Sequence, residues 1–195
     1  MSSTSFQDLI KQFNQVRRSL EKEIEKKRSD FDYHLLKNKV RFEAAINQAH
    51  KKFRTGIFSY LRHANPLFIL TAPVTYSLIV PLLLLDLLAF IYQFICFPVY
   101  GIQKPNRSDY IAVDRHKLSY LNIFEKMNCV FCGYANGLLR YVAELASMTE
   151  QFWCPIKHAR RIKNTHNRYW DFVDYGDADG YVEGFDSQRS KVKKS

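Results

Sequence analysis

The sequence lacks the short motifs that mark many nucleotide-binding and hydrolytic enzymes. It contains no glycine-rich phosphate loop, no G-x-S-x-G and no H-E-x-x-H. We expect no signal peptide, because the N-terminus has no basic stretch followed by an apolar core, and no lipid attachment, because the chain has neither an N-terminal myristoylation start nor a C-terminal prenylation cysteine. Cysteine is scarce, with four in 195 residues. Three of them lie outside the one long apolar run, an odd number that does not suit a disulfide framework.

Charge is nearly absent from Leu67–Phe97, where Asp86 is the one charged residue. An apolar run of this length predicts a membrane segment. As one straight helix it would extend about 46 Å, against a hydrocarbon core of about 30 Å. Two architectures fit: a single, strongly tilted membrane helix, or a re-entrant helical hairpin broken near Pro73 or Pro81. Cations flank the run in equal number and do not decide between them: Lys51, Lys52, Arg54 and Arg62 before it, and Lys104, Arg107, Arg115 and Lys117 after it.

Asp86 is costly at mid-depth in a bilayer, by about 2.5–3.5 kcal/mol on insertion scales. It should therefore face protein, face water or carry a proton. The simpler interpretation places it near a bend, at the surface of a wedge or at an oligomer contact. The alternative is an intramembrane proton or ligand site.

Proline and glycine are missing between Ser5 and Thr55, where the pattern is helical. Apolar residues recur at heptad-like steps and predict a coiled-coil-like arm that packs on a second copy or on the C-terminal part: Phe6, Ile10, Phe13, Leu20, Ile24 and Phe31. A membrane-surface helix is the alternative. A shift near Leu35–Val40 indicates either a stutter or two separate helices.

A second long helix is predicted from Leu118 to about Met148. Gly133 and Gly137 form a small-xxx-small pair on it, which allows another backbone to approach closely. The sequence as a whole predicts an all-α fold. Its predicted parts are a basic amphipathic arm (1–64), a membrane segment (65–102), a Cys/His-bearing helical domain (103–170) and an acidic, aromatic tail with a disordered end (171–195).

The cysteines suggest a metal site. Cys129-x-x-Cys132 has zinc-ligand spacing, and Cys154 with His158 supplies a second pair, so together they form a candidate Cys3His set for Zn²⁺. Two alternatives remain open. The cysteines are structural and bind nothing, or Cys129 and Cys132 are a dithiol redox pair, which would need one thiol of lowered pKa.

A second constellation consists of acids and imidazoles: His116, Glu125, Glu144, Glu150 and His158. Such groups on packed helices bind iron in some bundles, but the Glu-x-x-His spacing typical of those bundles is missing. Alternatively, Asp114–His116 could meet a lipid phosphate, with Arg115 and Lys117 binding the anion and His116 acting as acid or base. His116, Glu125 and Glu144 are thus the catalytic candidates.

The chain is basic, with a net charge of +10, and its mean hydropathy is -0.30. Next to an apolar anchor, this charge favours anionic lipid headgroups as partners over nucleic acid. The layout of arm, apolar segment and Cys-bearing helical domain resembles that of small, uncharacterised bacterial inner-membrane proteins, a resemblance that implies a location but no activity. We expect a membrane-anchored accessory or interaction protein in the bacterial inner membrane, with its polar parts in the cytoplasm and a second copy or a membrane protein as partner. The alternative is a membrane-surface enzyme that acts on a lipid-linked or redox substrate through His116 and the Cys129/Cys132 pair.

Overall fold

The computed structural model describes residues 3–28, 33–36, 39–42, 44–56, 59–60, 62 and 64–193. Its residues group into two compact units. One comprises Met1–Thr55 with Lys117–Asn122, and the other comprises Gly56–His116 with Ile123–Ser195.

The first unit contains helix α1 (Ser3–Arg28), strands β1 (Tyr33–Leu36) and β2 (Lys39–Phe42), and helix α2 (Ala44–Lys51). The strands form an antiparallel pair in which Tyr33 lies opposite Phe42. The predicted helix is therefore interrupted by a hairpin at the point where the heptad-like pattern shifts. The physical reason is local, because both four-residue segments are rich in aromatic and aliphatic residues that favour strands, and polar and apolar residues alternate in Lys39–Phe42.

The apolar stripe of α1 has large side chains that are exposed in this unit: Leu9, Phe13, Val16, Leu20 and Ile24. Phe31, the last residue of the predicted stripe, lies outside the described residues. The coiled-coil-like partner of this arm stays a prediction.

In the second unit, the apolar run forms α3 (Pro66–Ser77) and α4 (Ile79–Tyr100), joined through Leu78 in right-handed helical conformation. The chain does not reverse there, so the run forms one continuous helix and not a re-entrant hairpin. That this helix lies in a membrane stays a prediction. Asn65 caps its start by accepting a hydrogen bond from the Leu67 N–H. Gly101 ends it at φ 69°, a left-handed conformation that favours glycine.

Pro81 does not break the helix because it falls in the first turn of α4, which can tolerate a missing N–H. Within the described residues, Pro66–Tyr100 is the one helix long and apolar enough to cross a membrane, and its most apolar window has a mean hydropathy of 2.3.

Helix α5 (Ile123–Trp153) packs beside α3 and α4 and runs in the same direction. Three pairs mark this register: Tyr76 with Phe131, Asp86 with Tyr134, and Tyr100 with Phe152. The core forms along this contact: Ala89, Phe97, Ile102, Leu138, Tyr141, Leu145, Met148, Phe152 and Val192. The all-α class is confirmed in that the chain is mostly helical, with the β1–β2 hairpin as the departure.

The C-terminal stretch ends in α6 (Ala178–Val192), capped by Asp177, which accepts a hydrogen bond from the Gly180 N–H. Arg189 fastens α6 to α5, because its guanidinium lies over the Phe152 ring and donates to the Phe152 carbonyl. Helix α6 continues to Val192, and Lys193 pairs with Ile102, while the disordered end stays a prediction. Residues 194–195 lie outside the described part of the chain.

Candidate membrane-binding site

The surface of α3 and α4 is almost entirely apolar. Large side chains along both helices are between 42% and 76% exposed: Leu67, Phe68, Ile69, Leu70, Val74, Leu78, Val80, Leu83, Leu84, Leu87, Leu88, Phe90, Ile91, Phe94, Ile95 and Val99. Asp86 is the one charged residue in this helix and is turned inward, with 19% of its side chain exposed. We call this exposed surface the apolar face. Patches of such extent on folded proteins mark contact with a membrane or a partner.

The opposite side of α4 carries its polar groups. The Arg107 guanidinium holds the Asp86 carboxylate through two hydrogen bonds, from Nε to Oδ1 at 3.2 Å and from Nη2 to Oδ2 at 2.6 Å. The Tyr134 hydroxyl donates to the same Oδ2 at 2.9 Å. Asp86 therefore faces protein, and its charge is compensated. This contact raises the pKa of Arg107, while burial and, second, the bond to Asp86 raise the pKa of Tyr134.

Two further sets of polar contacts join α4 to its neighbours, nearer to the C-terminal end of α4. We call this row of polar contacts, which begins at Asp86, the seam. The Gln93 amide accepts a hydrogen bond from the Tyr141 hydroxyl at 2.6 Å and donates one to the Pro105 carbonyl at 3.1 Å. The hydroxyls of Tyr92 and Thr149 lie 2.7 Å apart. Burial raises the pKa of Tyr141. Asp86, Tyr92 and Gln93 of α4 thus bond to α5 and to the segment after Gly101, and none of the three belongs to the apolar face.

The glycine pair on α5 admits the chain's own backbone. A Cβ at Gly137 would lie 2.8 Å from the Ile111 Cα, and a Cβ at Gly133 would lie 3.1 Å from the Ala112 carbonyl oxygen. The predicted close approach is therefore present, with an irregular segment of the same chain as the approaching backbone.

His116 lines an open groove of about 610 Å³ beside α3 and the start of α5. Besides His116 and Lys126, the groove is lined by apolar and aromatic side chains of α3, α4 and α5: Tyr76, Ile79, Leu83, Ile123, Met127, Val130, Phe131 and Tyr134. The Nδ1 atom of His116 is buried and has no hydrogen-bond partner within the described part of the chain. Glu125, the second catalytic candidate, lies in the first turn of α5.

The predicted Cys3His set is not brought together. Cys129 lies near the start of α5 and Cys154 follows its last residue, so about 36 Å of helix separates them at about 1.5 Å per residue. A zinc–sulfur bond is about 2.3 Å long. Cys132 shares the early part of α5 with Cys129, whereas His158 lies beyond the other end. All four cysteines of the chain are free thiols.

Glu144 and Glu150 each contact a basic side chain. Glu144 accepts a hydrogen bond from Arg168 at 2.6 Å, and Glu150 lies 2.9 Å from the His166 Nε2. Burial and, second, Glu150 raise the pKa of Cys154. Among the described residues, no group of three or more His, Cys, Asp or Glu side chains is placed to hold a metal ion. The predicted iron set is therefore not assembled either.

Sequence reasoning missed Arg107 as the partner of Asp86, although a signal was present. A nearby cation is one way to compensate an aspartate in an apolar run, and Arg107 is among the flanking cations within about twenty residues of it. The sequence pattern does not predict that the segment after Gly101 turns back along α4 and brings Arg107 to Asp86.

No protein-family model, no curated protein and no solved structure matches this chain.

Proposed function

We propose that this chain is a membrane-anchored accessory or interaction protein. The observation that carries the proposal is the separation of polar and apolar groups on Pro66–Tyr100. Asp86 and Gln93 are bonded to the rest of the second unit, and the exposed remainder of the helix has no charge. Lipid is the environment in which such a surface is favourable, at about 25 cal/mol per Å² of apolar area removed from water.

The charge of the chain supports a location next to anionic lipid. The net charge is +10, and each Lys or Arg close to an anionic surface contributes about 1 kcal/mol. Free thiols suit a reducing compartment. We therefore place the polar parts in the cytoplasm and the anchor in a bacterial inner membrane.

The exposed stripe of α1 supports the interaction role. Its apolar residues recur at heptad-like steps, which is the pattern that packs one helix against another. We assign this stripe to a second copy of the chain. Sedimentation in mild detergent tests it: the wild type should sediment as an oligomer, and the variant Val16→Glu/Leu20→Glu as a monomer. A monomeric wild type would remove this part of the proposal.

Fractionation of cells that express the full chain tests the anchor. The wild type should stay with the membranes through a high-salt wash and float with them in a density gradient. The variant Leu84→Glu/Leu87→Glu places two charges on the apolar face, at side chains 57% and 54% exposed, and the high-salt wash should release it to the soluble fraction. The matched control makes the same change on α1, at Val16 and Leu20, which are 68% and 60% exposed, and should stay with the membranes. A wild type that stays in solution without detergent would contradict the proposal.

A further inference from the structure

The segment Gly101–His116 turns back at the end of α4 and runs along the helix pair toward its beginning. The Pro105 carbonyl is bonded to Gln93, and Arg107 is bonded to Asp86. Three further contacts complete its path: Tyr110 packs on Tyr141, Ile111 and Ala112 pass Gly137 and Gly133, and His116 reaches the groove that Tyr76 also lines. We call this segment the return segment.

We propose that the helix Pro66–Tyr100 lies in the plane of one leaflet and does not cross the bilayer. The apolar face would enter the boundary between headgroups and acyl chains, while the return segment and the C-terminal part stay on the water side. The chain would then be monotopic, with both ends of the helix on the same side. This inference rests on the membrane-anchored function proposed above and specifies how that anchor binds lipid.

The first reason is that the backbone of the return segment is mostly irregular. Apart from two short 3₁₀ turns, Arg107–Asp109 and Arg115–Lys117, it forms no helix, and several of its residues are exposed. A lipid-exposed irregular backbone is not found in the hydrocarbon region, because its N–H and C=O groups would have no partners there. An upright helix would carry this segment into the middle of the bilayer.

The second reason is that the return segment carries exposed charged side chains. Lys104, Arg107, Asp109 and Arg115 are exposed, and Arg107 is bonded at Asp86. Asp86 is three residues from Leu83, the midpoint of Pro66–Tyr100, or about 5 Å along the helix axis. A spanning helix would hold the half-exposed Arg107 at the bilayer centre, where charged side chains are rare and face a protein interior or water.

The length of the helix is the third reason. Its 35 residues extend about 52 Å, whereas the hydrocarbon core is about 30 Å thick. To fit, a spanning helix would need a tilt of about 55°, beyond the range of about 0–40° found for membrane helices. A helix that lies in the plane has no such limit, and many interfacial helices are 20–30 residues long.

Nitroxide depth measurements on the full chain in phosphatidylethanolamine–phosphatidylglycerol vesicles test the proposal. Each label is attached to a single cysteine in a background in which the four native cysteines are serine. Leu70, Leu84 and Val99 probe the two ends and the middle of the apolar face, and Ser108 probes the return segment. Depth follows from the ratio of relaxation by oxygen, which partitions into lipid, to relaxation by a water-soluble nickel chelate.

An in-plane helix predicts similar, shallow depths of about 5–10 Å for the three apolar-face labels and free access of the nickel chelate to Ser108. A label at Leu84 that lies deeper than those at Leu70 and Val99 by about 15 Å, with Ser108 shielded from nickel, would overturn the in-plane arrangement and leave the membrane anchor standing. Nickel access at all four positions would overturn both proposals. Circular dichroism of each labelled variant checks that its helix content equals that of the wild type.

Discussion

Asp86 is a carboxylate at a position where an unpaired carboxylate would be costly, and its neighbours remove that cost. Arg107 supplies two hydrogen bonds and a compensating charge, and Tyr134 supplies a third hydrogen bond. Breaking such a pair from one side leaves a partly buried charge behind, which costs more than the net value of the pair. This asymmetry makes the pair testable by mutation.

The change Arg107→Ala should lower the free energy of unfolding by about 2 kcal/mol, because it strands the Asp86 carboxylate. The double variant Asp86→Asn/Arg107→Ala removes the stranded charge and should recover more than half of that loss. Urea unfolding in mild detergent, followed by circular dichroism, measures both. If the double variant were less stable than Arg107→Ala alone, the charge on Asp86 would not be the source of the loss.

Three tyrosines near the seam should make the folded state less stable at alkaline pH. Burial is the largest cause that raises the pKa of Tyr110, Tyr134 and Tyr141 above the value of about 10 in an unfolded chain. Above pH 10 the folded state keeps protons that the unfolded state releases. The free energy of unfolding is therefore fully retained below about pH 10 and falls as the pH rises beyond it.

Replacement of these three tyrosines by phenylalanine should flatten the loss of thermal stability between about pH 9 and pH 11. The baseline at pH 8 will also fall, because Tyr134 and Tyr141 each donate a hydrogen bond, so the slope against pH is the quantity to compare. The exposed Tyr175, 70% accessible, gives the control variant Tyr175→Phe, whose slope should equal that of the wild type. Equal slopes in the triple variant and the wild type would contradict this prediction.

At the scale of elements, Gly137 and Gly133 decide how closely the return segment can approach α5. A methyl group at Gly137 would meet backbone atoms of Tyr110 and Ile111, which cannot rotate away. Glycine inside a helix otherwise costs up to about 1 kcal/mol relative to alanine. The close contact at these positions therefore opposes the ordinary preference of a helix for alanine.

The change Gly137→Ala should lower the free energy of unfolding by about 1–2 kcal/mol, because a strained contact with backbone outweighs the gain in helix propensity. Gly184 in α6 is the matched control, since the nearest described atom that a Cβ there would meet outside the adjoining helix backbone is Cγ2 of Val173 at 3.8 Å. Gly184→Ala should raise stability by about 0.5–1 kcal/mol. Chemical unfolding of both variants under one condition measures the difference. A stabilising Gly137→Ala would mean that the return segment does not lie against α5.

The sequence predicts the elements of the second unit better than their arrangement. Periodicity and composition were enough for the apolar helix, for most of α5 and for a close backbone approach at Gly133 and Gly137. The partner of Asp86 and the separation of Cys129 from Cys154 depend on α5 being unbroken and on the path of the return segment. Both are set by contacts between residues far apart in sequence, which a local pattern does not contain. The β1–β2 hairpin was missed because its segments are four residues long and lie inside a helix-like pattern.

At the scale of the molecule, two forces would hold the chain to a membrane, and they respond differently to salt. The net charge of +10 would attract anionic headgroups, and this attraction would weaken as the screening length falls from about 10 Å at 0.1 M salt to about 3 Å at 1 M. The apolar face would act by removing hydrocarbon surface from water, an effect that salt does not screen. Lipid composition and ionic strength therefore separate the two contributions.

Flotation with vesicles should show stronger binding to phosphatidylglycerol vesicles than to phosphatidylcholine vesicles at 0.1 M salt, and nearly equal binding at 1 M. Binding to the neutral vesicles should persist at both salt concentrations, because the apolar face supplies it. The variant Leu84→Glu/Leu87→Glu should lose the neutral binding and keep only a salt-sensitive association with the anionic vesicles. The opposite result, complete release of the wild type from both lipids at 1 M salt, would mean that charge alone holds the chain to the membrane and that the apolar face is covered by protein.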